Sequence, residues 1–388
     1  MRKINIGLFI DTYFPMIDGV IMVVDNYAKR LSKYANVYVF APRIPKKKYN
    51  DSIFNYKVIR CKSIDISFID YALPLPDFDK KFKEKLNNCN LDIIHIHSPA
   101  TIGNLAVKYA KKRNIPVIAT FHSQYKKDFY RATKSKFISN LLIRMVIKLY
   151  NNCNECWTMN NEVARIFQEE YGYKKNIKII NNATDMKPIN NKKEARKNVC
   201  KKHGIDNNHK ILLFVGRINK LKNIELIVES LRLIDNINYK MLFIGNGQDD
   251  TFLNNLITKY GLNDKIIMCG RVTDREELAK YYASADLFLF PSLYDSNSLV
   301  QLEAASQKTP TLFVEGSATS ARVIPEVDGF FAKNSPKDYS KKIIEIIQDK
   351  EKLKKVSEKA YEDLYISWDD EVERVYKEYI RIIESREK

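Results

Sequence analysis

Residues 288–311, FLFPSLYDSNSLVQLEAASQKTPT, indicate a β-strand, a polar loop and an α-helix in succession. An apolar run ends at Phe290, a Pro-Ser pair breaks it, and Asp295 opens a polar loop before a helical pattern that contains Glu303. The loop amides and the positive end of the new helix would form a seat for an anion. Two carboxylates suit a polyhydroxylated ligand, so the stretch fits a nucleotide sugar. A capped helix in an ordinary α/β domain would show the same pattern.

The length and charge of the chain bound its class. Its 388 residues exceed a typical domain of about 100–200 residues, so we expect two domains. The 65 Lys and Arg residues against 47 Asp and Glu residues give a net charge of +18, which favours anionic partners. A basic nucleic-acid-binding protein is the non-enzyme alternative. Because the charge is spread along the chain and no nucleic-acid-binding motif occurs, we expect no nucleic-acid partner.

Cysteine usage and the N-terminal sequence favour a cytoplasmic protein. Six cysteines are scattered along the chain, and the opening MRKINIGLFI indicates a strand and not a signal peptide. No run of 18 apolar residues occurs, so membrane contact would be peripheral, at the inner face of the cell membrane. Cys153 and Cys156 have the spacing of a metal or redox site but lack a second pair, and we expect no metal.

Apolar runs alternate with helical patterns through both halves of the chain. This alternation predicts parallel sheets and the α/β class, with two doubly wound Rossmann-like domains facing each other across a cleft. A polar, Lys-rich stretch from residue 182 to 208 separates them, which places the first domain at residues 1–185 and the second at 186–367. The predicted strands include 36–42, 92–97, 115–122 and 177–181 in the first half, and 211–215, 239–244, 265–268, 286–290 and 311–314 in the second.

Three candidate phosphate-binding residues follow predicted strands. Gly19 would supply either a turn with positive φ or a close approach of the backbone to a phosphate. Arg217 and Lys222 leave the strand at 211–215 and would clamp a diphosphate by a bidentate contact and a point charge. Basic residues in such a loop are also commonly just solvated. The carboxyl ends of parallel strands are where ligands bind, which favours the functional reading.

Histidines lie near two strand ends. His122 leaves a strand directly into a polar loop, which makes it a candidate site residue, although a lone histidine is more often a structural hydrogen-bonder. We expect His95 and His97 to face opposite sides of their strand, with at most one near the functional edge.

The segment from residue 124 to 150 is strongly basic and amphipathic. Seven Lys and Arg residues accompany apolar residues at helical spacing, among them Phe137, Leu141 and Met145. Such a helix either lies on an anionic membrane surface or packs on its own domain with a solvated basic face. Both interpretations remain open at this point.

Taken together, these pieces resemble the family 4 (group 1) retaining glycosyltransferases of the GT-B fold, nearly end to end. The chain is also similar to the diacylglycerol glucosyltransferase-like members in its opening from Asp11 to Val20 and in the basic segment 124–150. The motifs that carry the family resemblance occur in the family's order: Gly19, Thr-Phe-His122, Gly-Arg217 with Lys222, Gly245-Asn-Gly247, and Pro-Ser-x-x-Asp295 with Glu303.

The resemblance implies roles for individual residues. His122, Arg217, Lys222 and Asp295 would act at the reacting centre: the two cations neutralise the leaving diphosphate, Asp295 holds hydroxyls of the donor sugar, and His122 faces that sugar. The implied donor-binding residues are Gly19 at the diphosphate, the main chain near Val272 at the base, the backbone amides of Ser298, Leu299 and Val300 at the phosphate, and Glu303 at the ribose hydroxyls.

The implied activity is retaining transfer of a hexose from a nucleotide diphosphate sugar. Glucose from UDP-glucose is the first expectation, with a lipid or glycan acceptor at the cytoplasmic membrane face, and with no metal or other cofactor. The alternatives are a soluble or lipid-linked polysaccharide intermediate as the acceptor, and a GT-B nucleotide-sugar epimerase. The resemblance also implies a C-terminal helix, at about residues 368–388, that returns to the first domain.

The chain departs from the family pattern at three single positions and in the linker, where the usual Pro-Asn-Gly-Val-Asp reads Asn181-Asn-Ala-Thr-Asp185. Asp295 stands where the family usually has Glu, Ser298 where it usually has Gly, and Lys308 where Gly is common. Asp is one methylene shorter than Glu. These departures bear on which sugar is carried and on the level of activity, and not on the fold.

Overall fold

The computed structural model describes residues 2–65, 72–123, 125–206, 208–295 and 298–386. The chain forms two compact units. The first unit comprises Met1–Asn182 together with Trp368–Lys388, and the second comprises Ala183–Ser367. The division therefore falls at Asn182, where the sequence pattern had suggested residue 185.

The secondary structure of the described residues alternates strand and helix in both units. The strands are β1 (Asn5–Phe9), β2 (Asn36–Pro42), β3 (Lys57–Cys61), β4 (Ser63–Ile64), β5 (Leu73–Pro74), β6 (Ile93–Ile96), β7 (Val117–Phe121), β8 (Glu155–Thr158), β9 (Ile177–Ile179), β10 (Lys210–Val215), β11 (Tyr239–Ile244), β12 (Ile266–Gly270), β13 (Leu287–Phe290), β14 (Thr311–Val314) and β15 (Phe330–Ala332). The α-helices are α1 (Gly19–Leu31), α2 (Lys80–Asn87), α3 (Thr101–Arg113), α4 (Tyr125–Thr133), α5 (Lys136–Tyr150), α6 (Asn161–Arg165), α7 (Lys192–His203), α8 (Ile224–Leu231), α9 (Asp250–Lys259), α10 (Arg275–Ser284), α11 (Leu299–Ser306), α12 (Pro336–Gln348), α13 (Lys350–Leu364) and α14 (Trp368–Glu384).

The described part of the first unit contains a seven-stranded parallel sheet in the order β3-β2-β1-β6-β7-β8-β9. The strand order reverses at β1, where Ile6 lies opposite Val37 of β2 on one side and Ile93 of β6 on the other. Ligands of doubly wound sheets bind beyond the carboxyl ends of the strands at such a reversal. The loops after β1, β6 and β7 are therefore the functional edge of this unit.

The second unit contains a six-stranded parallel sheet among its described residues, in the order β12-β11-β10-β13-β14-β15. Here the order reverses between β10 and β13, which pair through Leu212 and Leu287. The two sheets confirm the predicted α/β class with two Rossmann-like domains. The loops that follow β10 and β13 contain Lys222 and Asp295.

Burial and capping explain why these segments form these elements. β7, β13 and β14 are buried along their whole length, as expected for parallel strands with helices on both faces of the sheet. Helix starts are set by side-chain caps. Asp18 accepts a hydrogen bond from the Ile21 N–H at 2.8 Å at the start of α1, and Asp274 accepts one from the Glu277 N–H at 2.7 Å at the start of α10.

The basic segment from residue 124 to 150 forms two helices, where its pattern had suggested one. Gln124 lies outside the described residues. The break between α4 and α5 lies at Lys134, which has a left-handed φ of 54°, and the following Ser135 caps α5 by accepting from the Ile138 N–H at 3.3 Å. The two helices present their aromatic residues differently, since Phe129 of α4 packs against the core of the first unit and Phe137 of α5 is 80% exposed.

The final helix, α14, packs in the first unit. Trp368 is buried against Tyr27 of α1, with ring centroids 5.8 Å apart, and Tyr376 stacks on Tyr34 at 5.2 Å. Asp369 in the first turn of α14 accepts from the Lys33 ammonium group at 2.9 Å. The chain thus leaves the first unit after β9 and returns to it with α14.

Candidate functional site

Three loops at the carboxyl edge of the second sheet are joined by backbone hydrogen bonds. The Gly216 N–H donates to the Ile244 carbonyl at 2.9 Å, and the Gly245 N–H donates to the Gly270 carbonyl at 2.8 Å. Gly245 has a φ of +133°, and a Cβ added there would lie 1.9 Å from the Gly216 carbonyl oxygen. The loops after β10 and β11 therefore approach each other more closely than any side chain at residue 245 would allow.

Lys222 and Asp295 meet at this edge. Lys222 ends a short 3₁₀ turn whose cap is Asn219, and its Nζ lies 2.5 and 2.7 Å from the two carboxylate oxygens of Asp295. Both side chains are mostly buried, with 16% and 17% of their surface exposed. The structure thus brings together one cation predicted for the diphosphate and the carboxylate predicted for the donor sugar.

Arg217 comes from the same loop as Lys222 but has a different environment. Its side chain is exposed, and among the described residues it has no ion pair or side-chain hydrogen bond. The neighbouring Ile218 is fully buried and anchors the loop in the core. The guanidinium group therefore remains available to an anionic ligand at the edge of the sheet.

The start of α11 provides only part of the predicted amide seat. Ser298 is the cap residue of α11, and its N–H already donates to Thr319 Oγ1 at 3.1 Å. Helix geometry leaves the amides of Leu299 and Val300, in the first turn, without an intrahelical acceptor. Ser296 and Asn297 of the predicted polar loop lie outside the described residues. Among the residues that the structure describes, the N–H groups of Leu299 and Val300 have no acceptor.

Glu303 is buried and bonded through both carboxylate oxygens. Its Oε1 accepts from Arg275 at 2.7 Å, and its Oε2 accepts from the Tyr282 hydroxyl at 3.0 Å. Burial raises the pKa of the Glu303 carboxyl, and the bonds from Arg275 and Tyr282 partly offset that rise. The second partner of Arg275 is Asp185, at 2.7 Å.

Sequence reasoning missed Arg275, Tyr282 and Asp185 as neighbours of the site. One signal was present for Arg275, a basic residue at the start of a helix that follows a strand end. Val272, the predicted contact to the base, lies in the same connection after β12, where it is half-buried and packs against the core of the second unit.

Gly19 begins α1 in the first unit. It does not have positive φ, so the interpretation as a left-handed turn is wrong, because the residue is already helical and follows the Asp18 cap. No atom lies within 4 Å of a Cβ built at this position. The backbone at the start of α1 is therefore open on the side where a side chain would stand.

The three histidines of the first unit lie in one cluster, in which His95 and His97 are buried and His122 is half-buried. His97 Nδ1 is 3.0 Å from His122 Nε2, and the rings of His95 and His97 are 4.0 Å apart. The prediction that His95 and His97 face opposite sides is wrong, because residues two apart on a strand share a face. Burial lowers the pKa of His122 to about 3, so its imidazole is neutral at physiological pH. It can offer hydrogen bonds but no positive charge.

Cys153 and Cys156 are buried free thiols. Their sulfur atoms donate to helix carbonyls, Cys153 to Leu149 at 3.8 Å and Cys156 to Tyr150 at 3.6 Å. In the part of the chain that the structure describes, no group of three or more His, Cys, Asp or Glu side chains is arranged to hold a metal ion. The pair is therefore part of the core packing of the first unit.

Two family models match consecutive parts of the chain. The model for Glycosyltransferase Family 4 matches residues 17–187, and the model for Glycosyl transferases group 1 matches residues 195–363. The chain belongs to the family 4, group 1 glycosyltransferases. Lys222, Asp295 and Glu303 lie within the part of the chain that matches the group 1 model.

Two relatives of this glycosyltransferase, from different organisms, carry the same enzyme name. The alpha-monoglucosyldiacylglycerol synthase of Acholeplasma laidlawii is 29% identical over 374 residues, which cover 92% of this chain and 91% of that protein. The enzyme of the same name from Streptococcus pneumoniae is 26% identical over 316 residues, covering 79% and 70%. Both similarities extend over most of the chain.

Solved structures show the GT-B fold for this glycosyltransferase. HepE from Anabaena, in complex with UDP and glucose, superposes with a TM-score of 0.75 at 15% identity and covers 96% of this chain and 98% of that one. At this level of identity the similarity shows the fold alone. The fold class predicted from the alternation of strands and helices is thereby confirmed.

One departure of this glycosyltransferase from its family has a structural consequence. Lys308 has a left-handed φ of 53°, a conformation that glycine adopts without strain. Its ammonium group pairs with Glu358 and lies 5.3 Å from the ring centroid of Tyr361. The side chain of Lys308 is thus held by an ion pair and an aromatic ring where the family often has no side chain.

The glycosyltransferase also has an apolar stripe that faces solvent. Phe137, Leu141 and Met145 follow one another along α5 and are 80%, 49% and 59% exposed. Ile138, on the same helix, is 43% exposed and widens the stripe. None of the described helices is long and apolar enough to cross a bilayer. The helix α5 also buries a face in the first unit, with Ile143, Val146 and Leu149 among its buried residues. The segment therefore packs on its own domain and leaves the apolar stripe exposed.

Proposed function

We propose that this glycosyltransferase transfers glucose from UDP-glucose to a lipid acceptor at the cytoplasmic face of the membrane, with retention of anomeric configuration and without a metal ion. The observation that carries the donor half is the contact between Lys222 and Asp295, with Glu303 in the helix that follows. A cation, a carboxylate for hydroxyls and a second buried carboxylate are the groups that a nucleotide sugar requires.

The reaction separates charge, and the second unit has groups for its negative side. Breaking the bond between the sugar and the diphosphate leaves positive charge on the sugar ring and negative charge on the phosphate. Arg217, Lys222 and the amides of Leu299 and Val300 would stabilise the leaving diphosphate more strongly in the transition state than in the ground state. These fixed cations and dipoles provide the charge that a metal ion supplies in other phosphate sites.

The remaining residues have the roles that family membership suggests. Asp295 would accept hydrogen bonds from donor-sugar hydroxyls and Glu303 from the ribose, with Val272 near the base. In the first unit, Gly19 would contact the diphosphate and His122 the reacting sugar. Because His122 is neutral, its contribution is a hydrogen bond and not a proton delivered from an imidazolium group.

The lipid acceptor is supported by the relatives and by the surface of α5. Both relatives reported above are named for a glucosylated diacylglycerol. Their name supports glucose as the sugar and a diacylglycerol-type acceptor for this chain. The apolar stripe of α5 lies among basic residues, an arrangement that suits an anionic membrane surface. HepE with bound UDP and glucose has the same fold, which is compatible with UDP as the nucleotide.

A transfer assay tests this proposal. Purified protein is incubated with UDP- and GDP-sugars and with either diacylglycerol vesicles or soluble glycans, in the presence and absence of EDTA, and the anomeric configuration of the product is read by NMR. We expect α-glucosyl lipid from UDP-glucose, unaffected by EDTA. Transfer to a glycan only would replace the lipid acceptor, and no turnover with any pair would refute the proposal.

A matched pair of variants distinguishes loss of a charge in the proposed donor site from loss of the same charge at the protein surface. Lys222→Ala should lower kcat/KM at least about 100-fold, because the leaving diphosphate loses a fixed charge. Lys220→Ala removes the same charge two residues earlier in the same turn, where the ammonium group lies 4.1 Å from the Phe252 ring centroid. It should retain wild-type activity.

A further inference from the structure

Arg275 connects two carboxylates of the second unit. Its Nη1 donates to Glu303 Oε1 and its Nη2 to Asp185 Oδ1, both at 2.7 Å. The two partners differ in exposure, since the Glu303 side chain is 8% exposed and that of Asp185 is 47% exposed. The guanidinium group therefore extends from a buried carboxylate to one at the surface.

We propose that Arg275 is a positioning residue for nucleotide recognition, which holds the Glu303 carboxylate in the orientation that accepts the two ribose hydroxyls. The inference rests on the proposed function, in which Glu303 binds the ribose. It adds a residue that belongs to none of the motifs on which the family resemblance depends.

The hydrogen-bonding capacity of Glu303 fits a vicinal diol. Each carboxylate oxygen has two lone pairs. Arg275 occupies one on Oε1 and Tyr282 occupies one on Oε2, so within the described part of the chain one acceptor site remains on each oxygen. Two adjacent acceptors match the two adjacent hydroxyls of a ribose. Because the existing bonds hold both oxygens, the carboxylate cannot rotate away from that geometry.

The positive charge of Arg275 also favours the ionised form of Glu303, which is the form that accepts hydrogen bonds at both oxygens. Burial raises the pKa of Glu303, and Arg275 is the largest of the groups that lower it. A protonated Glu303 would present an O–H donor where the ribose requires an acceptor. Asp185 and Tyr282 are the other groups that face this carboxyl, and the charge of Asp185 raises the pKa further.

Asp185 gives Arg275 a fixed direction. A guanidinium group with 45% of its side-chain surface exposed would otherwise sample several rotamers. The backbone just before Asp185 is held, since the Thr184 N–H donates to the Ile366 carbonyl at 2.9 Å. The exposed carboxylate thus fixes the arginine, and the arginine fixes the buried carboxylate.

Two nucleotides that differ only in the ribose test this role. The dissociation constants of UDP and 2′,3′-dideoxy-UDP are measured by calorimetry for the wild-type chain, Arg275→Gln, Arg275→Lys and Lys280→Gln. We expect the wild type to bind UDP at least about tenfold tighter than the dideoxy analogue. Arg275→Gln should bind the two about equally, and Arg275→Lys should retain an intermediate preference. Lys280→Gln removes a charge from the exposed side of the same helix and should keep the full preference.

The outcomes distinguish the two proposals. If Arg275→Gln keeps the wild-type preference for UDP, Arg275 does not position Glu303 and this inference is wrong, while the proposed function stands. If the wild type binds both nucleotides equally, the ribose contact of Glu303 in the proposed function is wrong as well. If Arg275→Gln fails to fold, as judged by circular dichroism, Arg275→Lys and Asp185→Asn replace it. The inference is overturned if both of these variants keep the full wild-type preference for UDP over the dideoxy analogue.

The pH dependence of UDP binding gives a second readout that a purely structural role would not change. Removing Arg275 removes the main group that opposes the burial effect, so the pKa of Glu303 rises. The acid-side loss of UDP affinity should then begin at a higher pH in Arg275→Gln than in the wild type. The two profiles would coincide if Arg275 acted only through packing.

Discussion

The ammonium group of Lys222 lies 2.5 and 2.7 Å from the two oxygens of Asp295. Family resemblance assigns these side chains to different parts of a donor, the cation to the diphosphate and the carboxylate to the sugar. If the proposed function is right, a bound diphosphate and Asp295 would therefore compete for the same ammonium group. In this chain the contact is made by Asp295, which is one methylene shorter than the Glu that the family usually has at this position.

Asp295→Asn should therefore separate nucleotide binding from transfer. We expect UDP to bind about three- to tenfold tighter, because Lys222 is released from a charged partner, while kcat for glucose transfer falls about 100-fold. Calorimetry with UDP and initial rates with UDP-glucose measure the two effects. Asp264→Asn removes a surface carboxylate from the same unit and serves as the control. Weaker UDP binding in Asp295→Asn would contradict the competition.

Acid should destabilise the first unit through His122. Its pKa is about 3 when folded and about 6.5 when unfolded, so between these values the unfolded chain holds more protons and stability falls as the pH falls. The loss is at most about 1.4 kcal/mol per pH unit for one imidazole. Burial raises the pKa of Asp11 to about 6, which gives the opposite slope, so the comparison must be made between variants.

Tryptophan fluorescence measures this effect selectively, because Trp157 and Trp368 are the chain's two tryptophans and both are buried in the first unit. Denaturant unfolding between pH 7 and pH 5 should show a smaller loss of unfolding free energy in His122→Asn than in the wild type. Equal pH slopes for the two proteins would show that His122 does not remain neutral in the folded state.

The exposed stripe of α5 should bind anionic vesicles. Burial of each large apolar side chain contributes about 1.5–3 kcal/mol at most, and each basic residue near the surface about 1 kcal/mol. Replacing Phe137, Leu141 and Met145 by Ser should abolish flotation with phosphatidylglycerol vesicles. Replacing Lys134, Lys136 and Arg144 by Gln should weaken flotation and reduce its salt dependence.

Phe78→Ser is the matched control for this surface. Phe78 is 80% exposed, as is Phe137, but it lies in a different part of the first unit. This variant should float like the wild type. Unchanged flotation of the triple Ser variant would exclude α5 as the membrane contact. If the wild type bound pure phosphatidylcholine vesicles as well as phosphatidylglycerol vesicles, attraction between the basic residues and anionic lipid would be excluded.

Gly245→Ala should disrupt the functional edge of the second unit. The new methyl group would overlap the Gly216 carbonyl oxygen, so we expect a loss of more than about 3 kcal/mol in the unfolding free energy, together with loss of UDP binding. Gly261→Ala is the control, since Gly261 also has positive φ, at +65°, but has open space around it. It should cost about 1 kcal/mol. Equal effects of the two substitutions would show that the close loop approach is unimportant.

The fold was predictable from local patterns because parallel strands buried on both faces appear as short apolar runs. The predicted strands at 239–244 and 311–314 have the bounds that the structure shows. The break at Lys134 was not predictable, because a lysine gives no local signal for a left-handed φ. A single amphipathic period continued across it.

The site was predictable only in its composition. Order and spacing of motifs were enough to name Lys222, Asp295 and Glu303, and to place each after a strand. The partners were not predictable, since the Arg275–Glu303 bond joins residues 28 apart and the Lys222–Asp295 bond joins residues 73 apart. Hydrogen bonds act over about 3 Å, and which groups come that close depends on how strands and helices pack.

Local sequence therefore specifies the architecture and the family of this glycosyltransferase, because periodicity, caps and glycine positions act within a few residues along the chain. Tertiary packing alone pairs Lys222 with Asp295, holds both oxygens of Glu303 and lowers the pKa of His122 so that its imidazole is neutral. Charge state and orientation depend on desolvation and on partners distant in sequence, which no local pattern encodes.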